Sequence, residues 1–406
     1  MHTRRFVVPS TLRWSLLAVA VGAGAIACSS DDNTTPPTVT PDAGTLDSGL
    51  VPDAGDQNDA GGPVMIDGWE KIVPGGNTVC SDGSEFSFYV RKGTANKVVF
   101  DFSGGGACWD AATCGYGDAV FTTKITPSVL PFAEYSSPSK IPGFYNPVRE
   151  DNPFKDWTHI FVPYCTGDLH WGSKVTEYTK TDGSKLTINH KGADNAKAAL
   201  SYLYENYKAP EKALVTGCSA GGYGAIMWAP YVREHYAAST KVYHFSDSAA
   251  GIIIDNFFPI IQNSWAFQPS LPNFVPAFAS NPGSIDTLAK IYNGIGAYEG
   301  TKLGLNLYNT SYDDTQTFFY TALGGTGGAA EWNNKMRAQI ANIEAATPSF
   351  TSYTGGNYQH CILPQYEFYT AKTNGVKVVD FVSNIVNDKP NTDVDCATTN
   401  TCGAPK

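Results

Sequence analysis

The 406-residue chain contains neither a C-x-x-C nor an H-E-x-x-H pattern, so the familiar spacings of a zinc centre are missing. It also lacks a basic stripe. Lys and Arg number 28 against 38 Asp and Glu, a formal charge of −10, and nucleic acid is therefore not an expected partner. No internal repeat runs through the body of the chain. The longest N-terminal apolar run, residues 14–27, is too short and too rich in small residues for a permanent membrane span.

That run follows Arg4, Arg5 and Arg13 and reads as an export signal over residues 1–28. It ends in Ala25-Ile26-Ala27-Cys28, which resembles a bacterial lipoprotein processing site with Cys28 as the lipidated residue. Leucine is usual where Ala25 stands, and plain secretory cleavage nearby is the alternative. The paired arginines faintly suggest twin-arginine export, with Phe6 one place early. Residues 29–66 read as a tether rich in Pro, Asp, Ala and Gly, too polar to offset its chain entropy by burial. Pro-Asp-Ala-Gly occurs there at 41–44 and again at 52–55. The tether carries seven Asp and no Lys or Arg while the signal carries three Arg, leaving the body at −10 + 7 − 3 = −6. The expected product is an exported, envelope-held globule at 67–406, touching a membrane only through its lipid.

Nine cysteines in such a chain point to disulfides. With Cys28 lipidated, eight remain. Cys108 and Cys114 lie close enough in sequence to close a small loop, as do Cys396 and Cys402; Cys80 with Cys165 and Cys218 with Cys361 would complete the set. Free buried thiols are the alternative.

The organising stretch is 212–236. Residues 213–216 read as a buried strand, and from Ala220 the apolar spacing lengthens towards a helix that Pro230 should kink or end. Between them stands Gly217-Cys218-Ser219-Ala220-Gly221, a G-x-S-x-G in the strand–turn–helix setting of a nucleophile elbow. An ordinary Gly-rich turn is the bland alternative. Strands are also expected at 85–91, 97–102, 159–163 and 241–245, a hairpin-like segment at 174–187, and helices at 193–207 and 331–345. Such alternation implies a mainly parallel sheet in an α/β fold. Residues 252–308, aromatic and Pro-rich, look like an inserted cap. Ser103-Gly104-Gly105-Gly106-Ala107-Cys108-Trp109 follows a strand directly, where α/β hydrolases supply a second oxyanion-binding N–H.

A serine hydroxyl needs a base in contact and an acid to orient that base, in the chain order Ser, acid, His. Three of the seven histidines follow Ser219. His235 would sit about 24 Å along the elbow helix, and His244 falls inside a strand. His360, in a late loop, is left as the base. For the acid, spacing leaves Asp313, Asp314 and Asp247 open.

At these residues the chain resembles the pectin acetylesterase and Notum family of carboxylesterases. SGGGACW at 103–109, PYCTGD at 163–168, GCSAGGYG at 217–224, YDDTQ at 312–316 and HC at 360–361 carry the likeness. The resemblance implies an α/β-hydrolase fold with helices on both faces of the sheet. It puts the nucleophile on Ser219, the acid on Asp313, the base on His360 and the oxyanion donors on Gly105, Gly106 and Ala220. It supports Cys80–Cys165 and Cys108–Cys114 as cystines. Trp109, Asp168 and His170 are the pocket candidates from the adjoining loops. Ala107 stands where some members carry a bulky aromatic, so pocket shape does not transfer. The implied activity is a serine esterase, without cofactor or metal and acting as a monomer. O-acetyl groups on a polysaccharide such as pectin are its expected substrate. Longer acyl chains on lipid or protein are one alternative, and a glycan-binding lipoprotein with a vestigial elbow is another.

Overall fold

The computed structural model describes Met65–Ile66 and residues 68–405. The signal segment, Cys28 and most of the tether lie outside these residues. In chain order the strands are β1 (Met65–Ile66), β2 (Trp69–Ile72), β3 (Phe88–Arg91), β4 (Lys97–Phe102), β5 (Thr158–Val162), β6 (Lys174–Thr179) and β7 (Lys185–His190). They continue as β8 (Lys212–Cys218), β9 (Lys241–Asp247), β10 (Leu305–Thr310), β11 (Phe350–Gly355), β12 (Lys372–Thr373), β13 (Val376–Lys377) and β14 (Val394–Asp395). Ten of them form one sheet in the order β1-β2-β3-β5-β4-β8-β9-β10-β11-β14. From β5 to β14 every pairing is parallel, and the β1, β2, β3 flank is antiparallel. Met65–Ile66, counted with the tether from sequence, pairs with β2 and is the first strand of the sheet.

The helices are α1 (Ala111–Gly115), α2 (Gly192–Asn206), α3 (Ala220–His235), α4 (Phe257–Trp265), α5 (Pro276–Ala279), α6 (Leu288–Glu299), α7 (Asp314–Ala322), α8 (Gly328–Ala346) and α9 (Val378–Val386). The near-continuous apolar strands serve both faces, because successive side chains point opposite ways. Val98, Phe100 and Phe102 of β4 join Ala213 and Val215 of β8 in a core shared with α2, α3, α6 and α8. Val99, Leu214 and Phe245 face the other core, against α9 and the loops at 130–157. This is an α/β-hydrolase architecture, helices on both faces of a largely parallel sheet.

Three expectations change. Pro230 neither ends nor breaks α3, which runs on to His235. Ile226, Met227, Trp228 and Val232 around it are buried, and that burial offsets the ~3 kcal/mol of an interior proline. The segment taken as a cap stops short of Leu305, because Leu305–Thr310 is a fully buried strand of the sheet. The C-terminal region, given no element from sequence, forms α9 at Val378–Val386 and β14 at Val394–Asp395. No helix among the described residues is long and apolar enough to cross a membrane.

Candidate active site

β8 ends at Cys218 and α3 begins at Ala220, so Ser219 alone makes the turn. It does so at φ 56° and ψ −122°, a conformation costly for a residue with a side chain. Its N–H donates to the Asp247 carbonyl at 2.8 Å and its carbonyl accepts from Gly222 at 2.9 Å. The turn packs directly on the end of β4. A Cβ on Gly221 would lie 1.8 Å from the Phe102 carbonyl oxygen, so glycine is the residue that fits.

The glycine-rich loop after β4 lies beside the elbow. Gly106 takes φ 77°, and a Cβ there would fall 2.0 Å from the Val120 carbonyl oxygen. The Gly105 carbonyl accepts from the Thr122 amide at 2.8 Å, which ties the loop down. Among the described residues no carbonyl accepts the N–H of Gly105 or Gly106. The Ala220 N–H opens a helix and so has no intrahelical partner.

The structure brings Asp313 and His360 together. Asp313 is the N-cap of α7, fully buried, and its carboxylate lies 2.8 and 2.9 Å from His360 Nδ1. A carboxylate only accepts, so Nδ1 carries the proton and Nε2 keeps its lone pair. Nε2 is buried and makes no hydrogen bond among the described residues. Ser219, Ala220, Gly106 and His360 share one cleft, with about 740 Å³ of empty space including its open mouth. Trp109, Trp171, Phe257, Phe258, Phe319 and Trp332 wall that cleft, most of them from the α4, α7 and α8 region.

The other acids have different tasks. Asp247 ends β9, and one of its carboxylate oxygens accepts from the amides of Ile362 and Leu363 at 2.7 and 2.8 Å. Burial nevertheless pushes its pKa up to about 6. Asp247 thus grips the backbone just after His360 rather than the imidazole. Asp314 is exposed on the first turn of α7. His244 is buried in β9 against Ser246 at 2.9 Å, and His235, at the end of α3, stacks on Tyr204 of α2.

Of the pocket candidates, Trp109 lines the cleft and the other two do not. Asp168 is fully buried behind it, accepting from Thr166 Oγ1 at 2.6 Å and from the Gly192 amide that opens α2 at 2.7 Å. Burial pushes its pKa up to about 7. His170 is buried too, donating through Nε2 to the Ser103 carbonyl at 3.0 Å, and it props the glycine-rich loop from beneath. Gln316, the last residue of YDDTQ, has no role assigned to it from sequence. Its amide N–H and side-chain Nε2 both donate to Asp313, at 2.8 and 3.0 Å, while its Oε1 accepts from Ala250. The Asp-x-x-Gln spacing at a helix start is a capping signature that points to it. All four anticipated cystines are formed: Cys80–Cys165, Cys108–Cys114, Cys218–Cys361 and Cys396–Cys402.

The pectinacetylesterase family model matches residues 71–267, which hold the glycine-rich loop and the elbow but neither Asp313 nor His360. The chain is related to the pectin acetylesterases and the Notum carboxylesterases. It is 29% identical to a palmitoleoyl-protein carboxylesterase Notum of Schmidtea mediterranea over 158 residues, 37% of this chain and 28% of that protein. With pectin acetylesterase 4 of Arabidopsis thaliana it shares 26% over 179 residues, 41% of this chain and 40% of the relative. Drosophila melanogaster Notum is 25% identical over 290 residues, 66% of this chain and 41% of that protein. The chain thus spans well under two thirds of these relatives' length. A crystal structure of the Wnt deacylase Notum from Drosophila superposes with a TM-score of 0.57 at 17% identity, covering 80% of this chain and 96% of that one. That likeness is one of fold.

Proposed function

We propose that this protein is a serine ester hydrolase working through an acyl-enzyme. One arrangement carries the reading: a carboxylate-held imidazole, its second nitrogen unpaired, in the same cleft as a serine on a strained elbow. Ser219 Oγ attacks the ester carbonyl as His360 Nε2 takes its proton, and the Gly105, Gly106 and Ala220 amides bind the developing oxyanion. His360 then gives the proton to the departing alcohol. Water, deprotonated by the same nitrogen, cleaves the acyl-serine and releases the acid. Asp313 holds the imidazole throughout, and Gln316 holds Asp313.

The relatives named pectin acetylesterases support an O-acetyl group on a polysaccharide as the substrate. A second reading is favoured by the cleft itself. The aromatic rings that wall it suit a longer acyl chain than acetyl. Hydrolysis of p-nitrophenyl esters from acetyl to dodecanoyl separates the two by where kcat/KM peaks. Ser219→Ala should remove about 10⁶-fold of kcat with folding intact, and a fluorophosphonate should label Ser219 in the native protein. Turnover surviving in the variant, or a label on another residue, sinks the reading.

The body is read as an exported domain behind a lipoprotein-type signal, a Cys28 anchor and a tether. Four cystines in the described part support an oxidising compartment.

A further inference from the structure

The residue before the nucleophile is bonded to the residue after the base. Cys218 precedes Ser219, Cys361 comes directly after His360, and a disulfide joins them across 143 positions of sequence. We propose that this cystine is a positioning bond for His360, so that the rate of acyl transfer depends on its oxidation state. The inference rests on the serine-hydrolase assignment.

His360 stands on a stretch without regular structure, between the end of β11 at Gly355 and a short turn of helix at Tyr366–Tyr369. Cys361 takes φ 59°, which its surroundings must enforce. Hydrogen bonds fasten the three residues after the base: the Cys361 amide donates to Ser248 Oγ at 2.9 Å, and Ile362 and Leu363 donate to Asp247. These tie the stretch to the end of β9. The cystine ties it to the end of β8, the strand that delivers Ser219. It is therefore the direct covalent link between the elbow and the base. A misplacement of about 1 Å between reacting groups costs about 10²-fold in rate, so a link one bond-step from each partner bears on the chemical step.

A small dithiol such as dithiothreitol would donate two electrons and two protons. The S–S bond breaks, Cys218 and Cys361 become thiols, and the reagent leaves as its cyclic disulfide. Access favours this bridge, since Cys218 is partly exposed whereas Cys80, Cys165, Cys108 and Cys114 are buried. Cys402 is partly exposed as well, so alkylation and peptide mass spectrometry must assign which bridge has opened.

The test uses the full chain with p-nitrophenyl acetate, before and after mild reduction, alongside the double variant Cys218→Ser/Cys361→Ser. With the 218–361 bridge open, kcat should fall by about ten-fold or more while KM stays within about two-fold. Fluorophosphonate labelling of Ser219 should slow in step. Reoxidation should restore wild type and leave the double variant slow. Full kcat with both thiols alkylated overturns the proposal. So does a rise in KM at unchanged kcat, or a loss of activity that merely tracks a loss of near-ultraviolet dichroism. If the double variant does not fold, reduction of the folded wild type decides. Oxidised wild type that neither turns over nor labels sinks the hydrolase reading instead, and the two failures stay distinct.

Discussion

The two halves of the proposed site are held by different means. On the nucleophile side, main chain packs on main chain: Ser219 turns between β8 and α3, and Gly221 and Gly106 stand where no Cβ fits. On the base side, side chains do the holding. Asp313 caps α7, Gln316 braces Asp313, Asp247 takes two amides, and a cystine closes the set. A backbone-held group is placed by a few consecutive residues. A side-chain-held group is placed by partners scattered over more than a hundred positions, so the base half is the one that small chemical changes can detune.

The largest expected effect tests that contrast directly. Asp313→Asn keeps the shape but offers His360 the wrong partner, and kcat should drop about 10⁴-fold with the melting temperature nearly unmoved. The same change at Asp247 should alter stability more than kcat. If Asp247→Asn instead gives the larger kcat loss, the acid has been misassigned. A smaller effect is expected on the other half. Gly221→Ala drives a methyl into the Phe102 carbonyl and should cost about 1–3 kcal/mol in unfolding free energy, with kcat down about 10²-fold. Denaturant titration beside steady-state kinetics reads both, and an unaffected variant would deny that the elbow is rigidly packed.

The effect confined to stability, with kcat untouched, concerns pH. Buried Asp168 has its folded pKa raised to about 7, above about 3.9 in the unfolded chain. The folded form therefore holds its proton longer. The stability this gives is complete below about pH 4 and is lost as pH rises through about 7. Relative to Asp168→Asn, wild type should lose stability steadily across that window and run parallel outside it. Urea midpoints at half-unit steps check the slope, and a difference of the opposite sign refutes the burial argument.

The same division separates the legible part of the sequence from the rest. The elbow and the glycine-rich loop are contiguous, and their glycines, strand and helix are local signals. Asp313 was not separable from Asp314 or Asp247 by spacing, because the deciding contact joins positions 47 residues apart. Asp168 and His170 drew attention as a polar loop. Polar density equally serves to satisfy buried backbone, and that is their use beneath the glycine-rich loop and at the start of α2. Leu305–Thr310 does not read as a strand from sequence because Asn306 and Asn309 dilute it. Both are buried: Asn306 Nδ2 donates to the His244 carbonyl, and Asn309 Oδ1 accepts from Gln316 Nε2.

The sheet tapers to β1 and β14, two residues each, at its opposite margins. Among the described residues, edge strands that short offer a neighbouring molecule little length to pair with. Crowded side by side, copies of this protein should meet through loops and helices rather than edge to edge.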